Sequence, residues 1–516
     1  MTVRWCVLVL AAFSFVPAAS ATAISPDVVR DLSSRVGPVV GQAATCRDIA
    51  QGRVQTVIDQ FSEVIRQASS NNGERDGLVR SFNSYIAEGR GRVTSALVNC
   101  QTADRQLAEL ERSLTAQPAA TTLSFALTPS SAAAATQPTA SLPPPLPNGV
   151  TETEIRFGIV IPFSGVRKEP ARQMKLGIDT AFNRANDAGG INGRKLRLIA
   201  ADDGYDPTRT LAAMAQLYEK DQVFGFIGNM GTANGAVAIP YALERRALFF
   251  APNSGASVLR RDPPDRYVFN YRASYAEETD AIVRYLIKVK RIPAKQIAVL
   301  AQDDAYGDDG ANGVAKAFRA LGITDPIIRY SFPRATLDVD EAVGKLKAQT
   351  KPIKAVIMIA TDRAAAKFIE KTHDAVPGLI YASISAVGST SLAAELKLLG
   401  AKYTNGVIVT QGVPSVAGHS SLVLEYKTAL EKYFPGEGPT YTSLEGFISA
   451  SILIQALKQT TPLETERLVD TLEAMQSIDL GLGSKLSFGR AEHQASHKIW
   501  GTALDESGTY QAIELE

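Results

Sequence analysis

The chain has 516 residues, 45% of them apolar and 21% charged, with 54 basic and 53 acidic side chains for a formal net charge of +1. That length exceeds what one hydrophobic core holds and calls for two or three domains. A charge so near zero gives no electrostatic reason for a nucleic acid or an anionic membrane as partner, and neither is expected.

Residues 1–23 read as a signal peptide. Arg4 supplies the basic start, and Cys6 to Val16 is an apolar run too short to span a bilayer. Pro17 breaks that run, and Ala19-Ser20-Ala21 or Ala21-Thr22-Ala23 offers a small-x-small cleavage site. No cysteine follows for lipid attachment, and no later segment is long and apolar enough to cross a membrane. The expectation is a periplasmic protein with no membrane insertion after signal cleavage.

Residues 24–116 read as a helical hairpin. Val54, Val57, Ile58, Phe61, Ile65 and Ala68 recur at three- and four-residue steps, and a second stripe runs through Leu78, Phe82, Tyr85, Ile86, Cys100, Leu107 and Leu110. Asn71-Asn72-Gly73 separates them as a turn. Cys46 and Cys100 are equidistant from Gly73 along the chain, so equal arms put them at one height. Two cysteines in an exported chain predict a Cys46–Cys100 disulfide, two buried free thiols being the alternative. Residues 117–150 are rich in Ala, Thr, Ser and Pro and end in Leu142-Pro143-Pro144-Pro145-Leu146-Pro147, the composition of a linker.

Residues 151–516 alternate strands with helices. Ile155–Ile161, Leu196–Ala200, Val223–Ile227, Leu248–Phe250, Ile297–Leu300 and Val356–Ile359 read as buried strands. Between them lie helical stripes such as Met174, Ile178, Ala181, Phe182, Ala185 and Val314, Ala317, Phe318, Leu321. This is an α/β pattern with parallel sheets flanked by helices, too long for one sheet.

Parallel sheets bind ligands outside the carboxyl ends of their strands, so the residues just after each strand are the candidates. They are Ser164; Thr232 and Asn234; Asn253 and Ser254; Tyr306; Thr361 and Asp362; and Ser385. Gly231-Thr232-Ala233-Asn234 also opens a helix, whose free N–H groups suit a carboxylate. Thr232 and Asn234 read equally well as ligand donors or as helix caps. No Gly-x-Ser-x-Gly elbow or phosphate loop appears, and His493 and His497 stand in a turn and strand context, so no metal, no cofactor and no enzymatic activity are expected.

From about Glu154 onward the chain resembles the Leu/Ile/Val-binding branch of the periplasmic binding proteins. The stretches that carry the likeness are Ile159–Gly165, Met174–Ile178, Gly189-Gly190-Ile191-Asn192-Gly193, Asp202-Asp203 with Asp206-Pro207, and Asp304-Ala305-Tyr306-Gly307. The resemblance implies a type I fold of two α/β lobes joined by three crossing segments. Lobe 1 would hold about 154–274 and 413–488, and lobe 2 about 275–412 and 489–516. It further implies that Thr232, Asn253 and Ser254 hold a ligand carboxylate, that Tyr306 covers the ligand, and that Thr361 and Ser385 add contacts from the second lobe. Around Ser385 the amino-acid binders carry a Glu for the ligand's ammonium, and Ala382–Val387 has no acid. Either Glu277 or Asp362 replaces that charge, or the ligand lacks an amine. Arg167 and Lys168, where small residues are usual, either favour an anion or are solvated loop charges.

The function so implied is the solute-binding component of an ABC importer. It would take a small polar molecule (amino acid, amide, urea-like compound or organic acid) by hinge closure and pass it to permease and ATPase subunits. The alternative is a periplasmic sensor or envelope interaction protein on the same scaffold.

Overall fold

The computed structural model describes residues 26–46, 48–69, 72–94, 100–115 and 146–515. The expected signal peptide and most of the expected linker lie outside the described residues. The chain divides into two compact units, Met1–Thr139 and Ala140–Glu516. No helix among the described residues is long and apolar enough to cross a membrane.

The first unit contains four described helices, Pro26–Thr45, Gln51–Ala68, Asn72–Thr94 and Cys100–Thr115, in place of two continuous arms. The chain leaves helical geometry at Cys46, ahead of the Val54–Ala68 stripe, and the stripe from Leu78 to Leu110 is divided between Asn72–Thr94 and Cys100–Thr115. Helix Pro26–Thr45 packs closely along Asn72–Thr94: a Cβ on Gly41 would stand 2.0 Å from the Ile86 carbonyl oxygen. Val40, Val54, Phe61, Leu78, Phe82 and Leu107 share one core. Cys46 and Cys100 are joined by a disulfide with their Cα atoms 5.5 Å apart. Arg53 donates from Nε to Glu111 at 2.9 Å and from Nη1 to Asp104 at 2.7 Å.

The second unit is built on two sheets. Strands β1 (Glu154–Ile161), β2 (Lys195–Asp202), β3 (Gly225–Ile227), β4 (Leu248–Phe250) and β5 (Val268–Phe269) form a five-stranded sheet in the order β2-β1-β3-β4-β5. Every pairing in it is parallel. β1 is buried along nearly its whole length because helices cover both faces. The second sheet holds β6 (Ile297–Asp303), β7 (Ile328–Pro333), β8 (Ala355–Ile359), β9 (Ile380–Ser383), β10 (Ile408–Gln411), β11 (Trp500–Leu504) and β12 (Tyr510–Ile513). Its order is β12-β11-β10-β9-β8-β6-β7, parallel except where β11 pairs with β10 and β12.

The chain returns to the first sheet after β10. Helix Tyr441–Gln459 packs on helix Lys168–Asp187, and a Cβ on Gly177 would stand 1.8 Å from the Ser443 carbonyl oxygen. The segments that cross between the sheets bond to one another. Asn270 N–H donates to the His493 carbonyl at 2.7 Å and Ala495 N–H donates to the Asn270 carbonyl at 2.9 Å. The Tyr271 hydroxyl donates to the Gly412 carbonyl at 3.0 Å. This is a two-lobed α/β fold, each lobe with its own core and three strands of chain between them.

Candidate functional site

The carboxyl ends of β3 and β4 face those of β6 and β8 across a narrow interlobe gap. Arg167, Tyr205, Met230, Gly231, Thr232 and Asn253 line it from the first lobe; Tyr275, Tyr306, Thr361 and Ala386 line it from the second. The lobes are closed on it, leaving a free cavity of about 10 Å3, roughly the space of one water molecule.

Thr232 begins helix Thr232–Glu244 after Gly231, whose φ is 103°. A Cβ on Gly231 would stand 2.8 Å from Asn234 Oδ1 and 2.9 Å from the Tyr205 ring, so the turn needs both the freedom and the smallness of glycine. The helix has no side-chain cap, which sets aside the capping reading of Thr232 and Asn234. Thr232 Oγ1 lies 3.0 Å from Ser254 Oγ, itself 3.2 Å from the Tyr275 hydroxyl. Tyr275 and Tyr306 meet edge to face at 5.4 Å, and the Tyr306 hydroxyl donates to the Ala360 carbonyl at 3.3 Å. Burial pushes both phenols up, so each keeps its proton as a donor. Thr361 is 2% exposed and its Oγ1 has no hydrogen-bond partner.

Arg167 is 5% exposed. Its Nη1 donates to the Val387 carbonyl at 2.9 Å and its Nη2 to the Ala386 carbonyl at 3.0 Å, both on the other lobe. Nη1 also lies 3.7 Å from Asp362 Oδ1. Burial pushes the Asp362 carboxyl up to about 6 against the pull of Arg167. The solvated reading therefore fails for Arg167 and holds for Lys168, which is exposed.

A layer behind the gap joins the hinge to both lobes. Glu278 accepts from Ser385 N–H at 2.7 Å, Ser385 Oγ at 2.9 Å and Thr410 Oγ1 at 2.6 Å. Arg272 lies 3.6 Å from Glu278 and 3.7 Å from Glu445, and also bonds Ser385. Burial pushes Glu445 up, with Arg272 opposing.

Of the residues singled out from the sequence, Thr232, Asn253, Tyr306 and Thr361 line the gap; Ser254 and Asp362 adjoin it through Thr232 and Arg167. Ser385 stands in the layer behind. Three do not reach it. Ser164 is exposed and donates to Asp202 Oδ2 at 2.7 Å. Asn234 is taken up by Asp203 at 3.0 Å, Thr210 at 2.9 Å and Arg334 at 3.0 Å. Glu277 faces the hinge, caps its own helix through Ser274 and meets His497 at 2.6 Å. One residue along, Glu278 points inward; a one-residue step on a helix turns a side chain by about 100°. Tyr275, Glu278 and Arg334 were not anticipated in these roles, and for Arg167 the sequence had left an anion-favouring and a solvated reading open.

Opposed strand ends, a closed gap lined from both sides and mutually bonded crossing segments define a bilobal ligand-trapping protein. The chain belongs to the periplasmic binding protein family, whose sequence pattern matches residues 154–509, and within it to the Leu/Ile/Val-binding type. It is similar to a possible leucine/isoleucine/valine-binding protein from Rhodopirellula baltica, with 33% identity, 70% of this chain and 97% of that one covered, and a TM-score of 0.67. It is 23% identical to Leu/Ile/Val-binding protein homolog 7 of Brucella abortus over 66% of this chain and 88% of that one. It is also 23% identical to an amino acid binding protein of Pseudomonas aeruginosa over 58% of this chain and 78% of that one. The family is periplasmic and its fold binds substrates without catalysis.

Proposed function

We propose that this chain is the periplasmic solute receptor of an ABC importer. It takes a small polar molecule into the gap between its lobes and presents the closed form to permease and ATPase subunits. Residues 1–23 direct export and are removed, and the protein is not an enzyme. The observation that carries this reading is the interlobe gap into which Thr232 and Asn253 of one lobe and Tyr306 and Thr361 of the other converge. Ligand entry requires the lobes to part about the crossing segments, and contacts from both lobes then stabilise closure.

The test is calorimetry and thermal shift on the purified full chain with amino acids, amides, ureas and organic acids. A compound that binds the closed form raises the unfolding temperature by mass action. Thr232→Val should weaken its binding by about 1–3 kcal/mol by removing a hydroxyl partner. Tyr306→Ala should weaken it further by uncovering the gap to water. Unchanged affinity in both variants would place the ligand elsewhere.

A further inference from the structure

We propose that Arg167 sets the chemical class of the ligand: a small carboxylate that carries no amine. This rests on the receptor reading above and deepens it. Arg167 is the sole charged residue among the ten that line the gap. An amino acid would need an acceptor for its ammonium in or beside the gap, and the acids nearest it are on the wall that Arg167 meets. That wall is already occupied: the Ala386 and Val387 carbonyls accept from Arg167, and the Asp362 carboxylate lies 3.7 Å from the same guanidinium. The stretch Ala382–Val387 contains no acid. Glu278 accepts from Ser385 and Thr410 and lies 3.6 Å from Arg272, and Glu445 lies 3.7 Å from the same Arg272, so each of these acids is already paired with a buried arginine. An incoming ammonium would meet Arg167 as a like charge and would have to displace an arginine from the acid it is paired with.

A carboxylate meets the reverse situation. A guanidinium has five N–H donors, and the two carbonyls engage two of them. Arg167 shares the lining with Thr232, which brings a hydroxyl and the N-terminal end of helix Thr232–Glu244. A cation, a hydroxyl and a helix N-terminus around one small space recognise an anionic oxygen pair. Arg167 thus supplies from the chain the positive charge that an amino acid would bring with it.

The experiment is calorimetry on the full chain with probes matched by skeleton. Acetate, pyruvate and 4-methyl-2-oxopentanoate are each compared with glycine, L-alanine and L-leucine, and with acetamide, propanamide and 4-methylpentanamide. At least one acid should bind on the order of tenfold or more tighter than its matched amino acid and amide. Arg167→Gln should weaken that acid on the order of tenfold or more by removing a charge-assisted hydrogen bond. Arg167→Lys, which keeps the charge without the fork, should lose less. Unliganded thermal unfolding of each variant separates lost affinity from lost fold. An amino acid that binds tighter than its acid, or an acid whose affinity Arg167→Gln leaves unchanged, overturns the inference while the receptor reading stands. If no compound of the wider panel binds, the receptor reading falls and this inference falls with it.

Discussion

Asp362 is a carboxylate 3% exposed, held beside one arginine, whose Oδ1 accepts no hydrogen bond. Its pKa rises from 3.8 to about 6 because burial outweighs the attraction of Arg167. The sign follows directly. Between about pH 4 and pH 6 the folded chain holds a proton that the unfolded chain has released, so stability falls as pH rises through that window. The loss amounts to about 3 kcal/mol at most. Asp362→Asn has no such proton, so its stability relative to wild type should grow from about pH 4 to about pH 7 by up to that amount. Urea unfolding of both proteins at the two pH values checks this, and a pH-independent difference would reject it. At this scale the sequence was partly legible. Residues placed by strand ends, such as Thr232 and Tyr306, could be read because a parallel sheet fixes where its loops emerge. Arg167 could not, because a loop arginine looks the same whether solvated or threaded across a closed gap. Glu277 and Glu278 differ only in helix rotation, which a short run of residues does not fix.

Two helix pairs approach each other closely at glycines. Helices Pro26–Thr45 and Asn72–Thr94 approach at Gly41, and helices Lys168–Asp187 and Tyr441–Gln459 approach at Gly177, in both cases against a carbonyl oxygen. A backbone carbonyl cannot swing aside as a side chain can, so any Cβ forces the helices apart and strips packing on either side of it. Gly177→Ala should therefore destabilise the binding unit by about 1–3 kcal/mol, read as a lower urea midpoint for the full chain. Gly344→Ala, in a helix where a Cβ would meet nothing within 4 Å, is the control and should be neutral or slightly stabilising. Equal effects at both sites would mean that close approach does not matter. The strands starting with Ile155, Leu248, Ile297 and Val356 were legible as short β-branched or apolar runs bounded by turns. The division of residues 24–116 into four helices was not, because a helical stripe carries its period across a break without showing it. Nor does a stripe reveal which helix it packs on: the pairing of Lys168–Asp187 with Tyr441–Gln459 joins segments far apart in the chain.

The two lobes hold each other by arginines that reach in opposite directions. Arg167 extends from the first lobe to the Ala386 and Val387 carbonyls of the second. Arg334, just after β7, extends from the second lobe to the first. Its Nη2 donates to the Tyr205 carbonyl at 2.6 Å and to Asn234 Oδ1 at 3.0 Å, its guanidinium stacks 4.2 Å above the Tyr205 ring, and Asp304 pairs with it on its own lobe. None of these contacts needs a ligand. The chain's own side chains thus contribute to closure, and contacts with the solute add to theirs. Arg334→Ala leaves its lobe's core intact but removes the contacts that span the gap. A cost of about 1–2 kcal/mol to the closed form shifts the open-to-closed ratio by roughly five- to thirtyfold. Leu211 on the first lobe and Leu398 on the second are both exposed, so Leu211→Cys and Leu398→Cys accept spin labels without disturbing either core. Cys46 and Cys100 are paired with each other and do not compete for label, and the protein is prepared without residues 1–23, which hold Cys6. In the unliganded protein the distance distribution between the labels should contain a short component, and Arg334→Ala should move its weight to a longer one. Saturating solute should restore the short component in the variant, at a higher concentration than wild type requires. An unliganded distribution that Arg334→Ala leaves unchanged would mean that the arginine decorates a closure driven by other contacts.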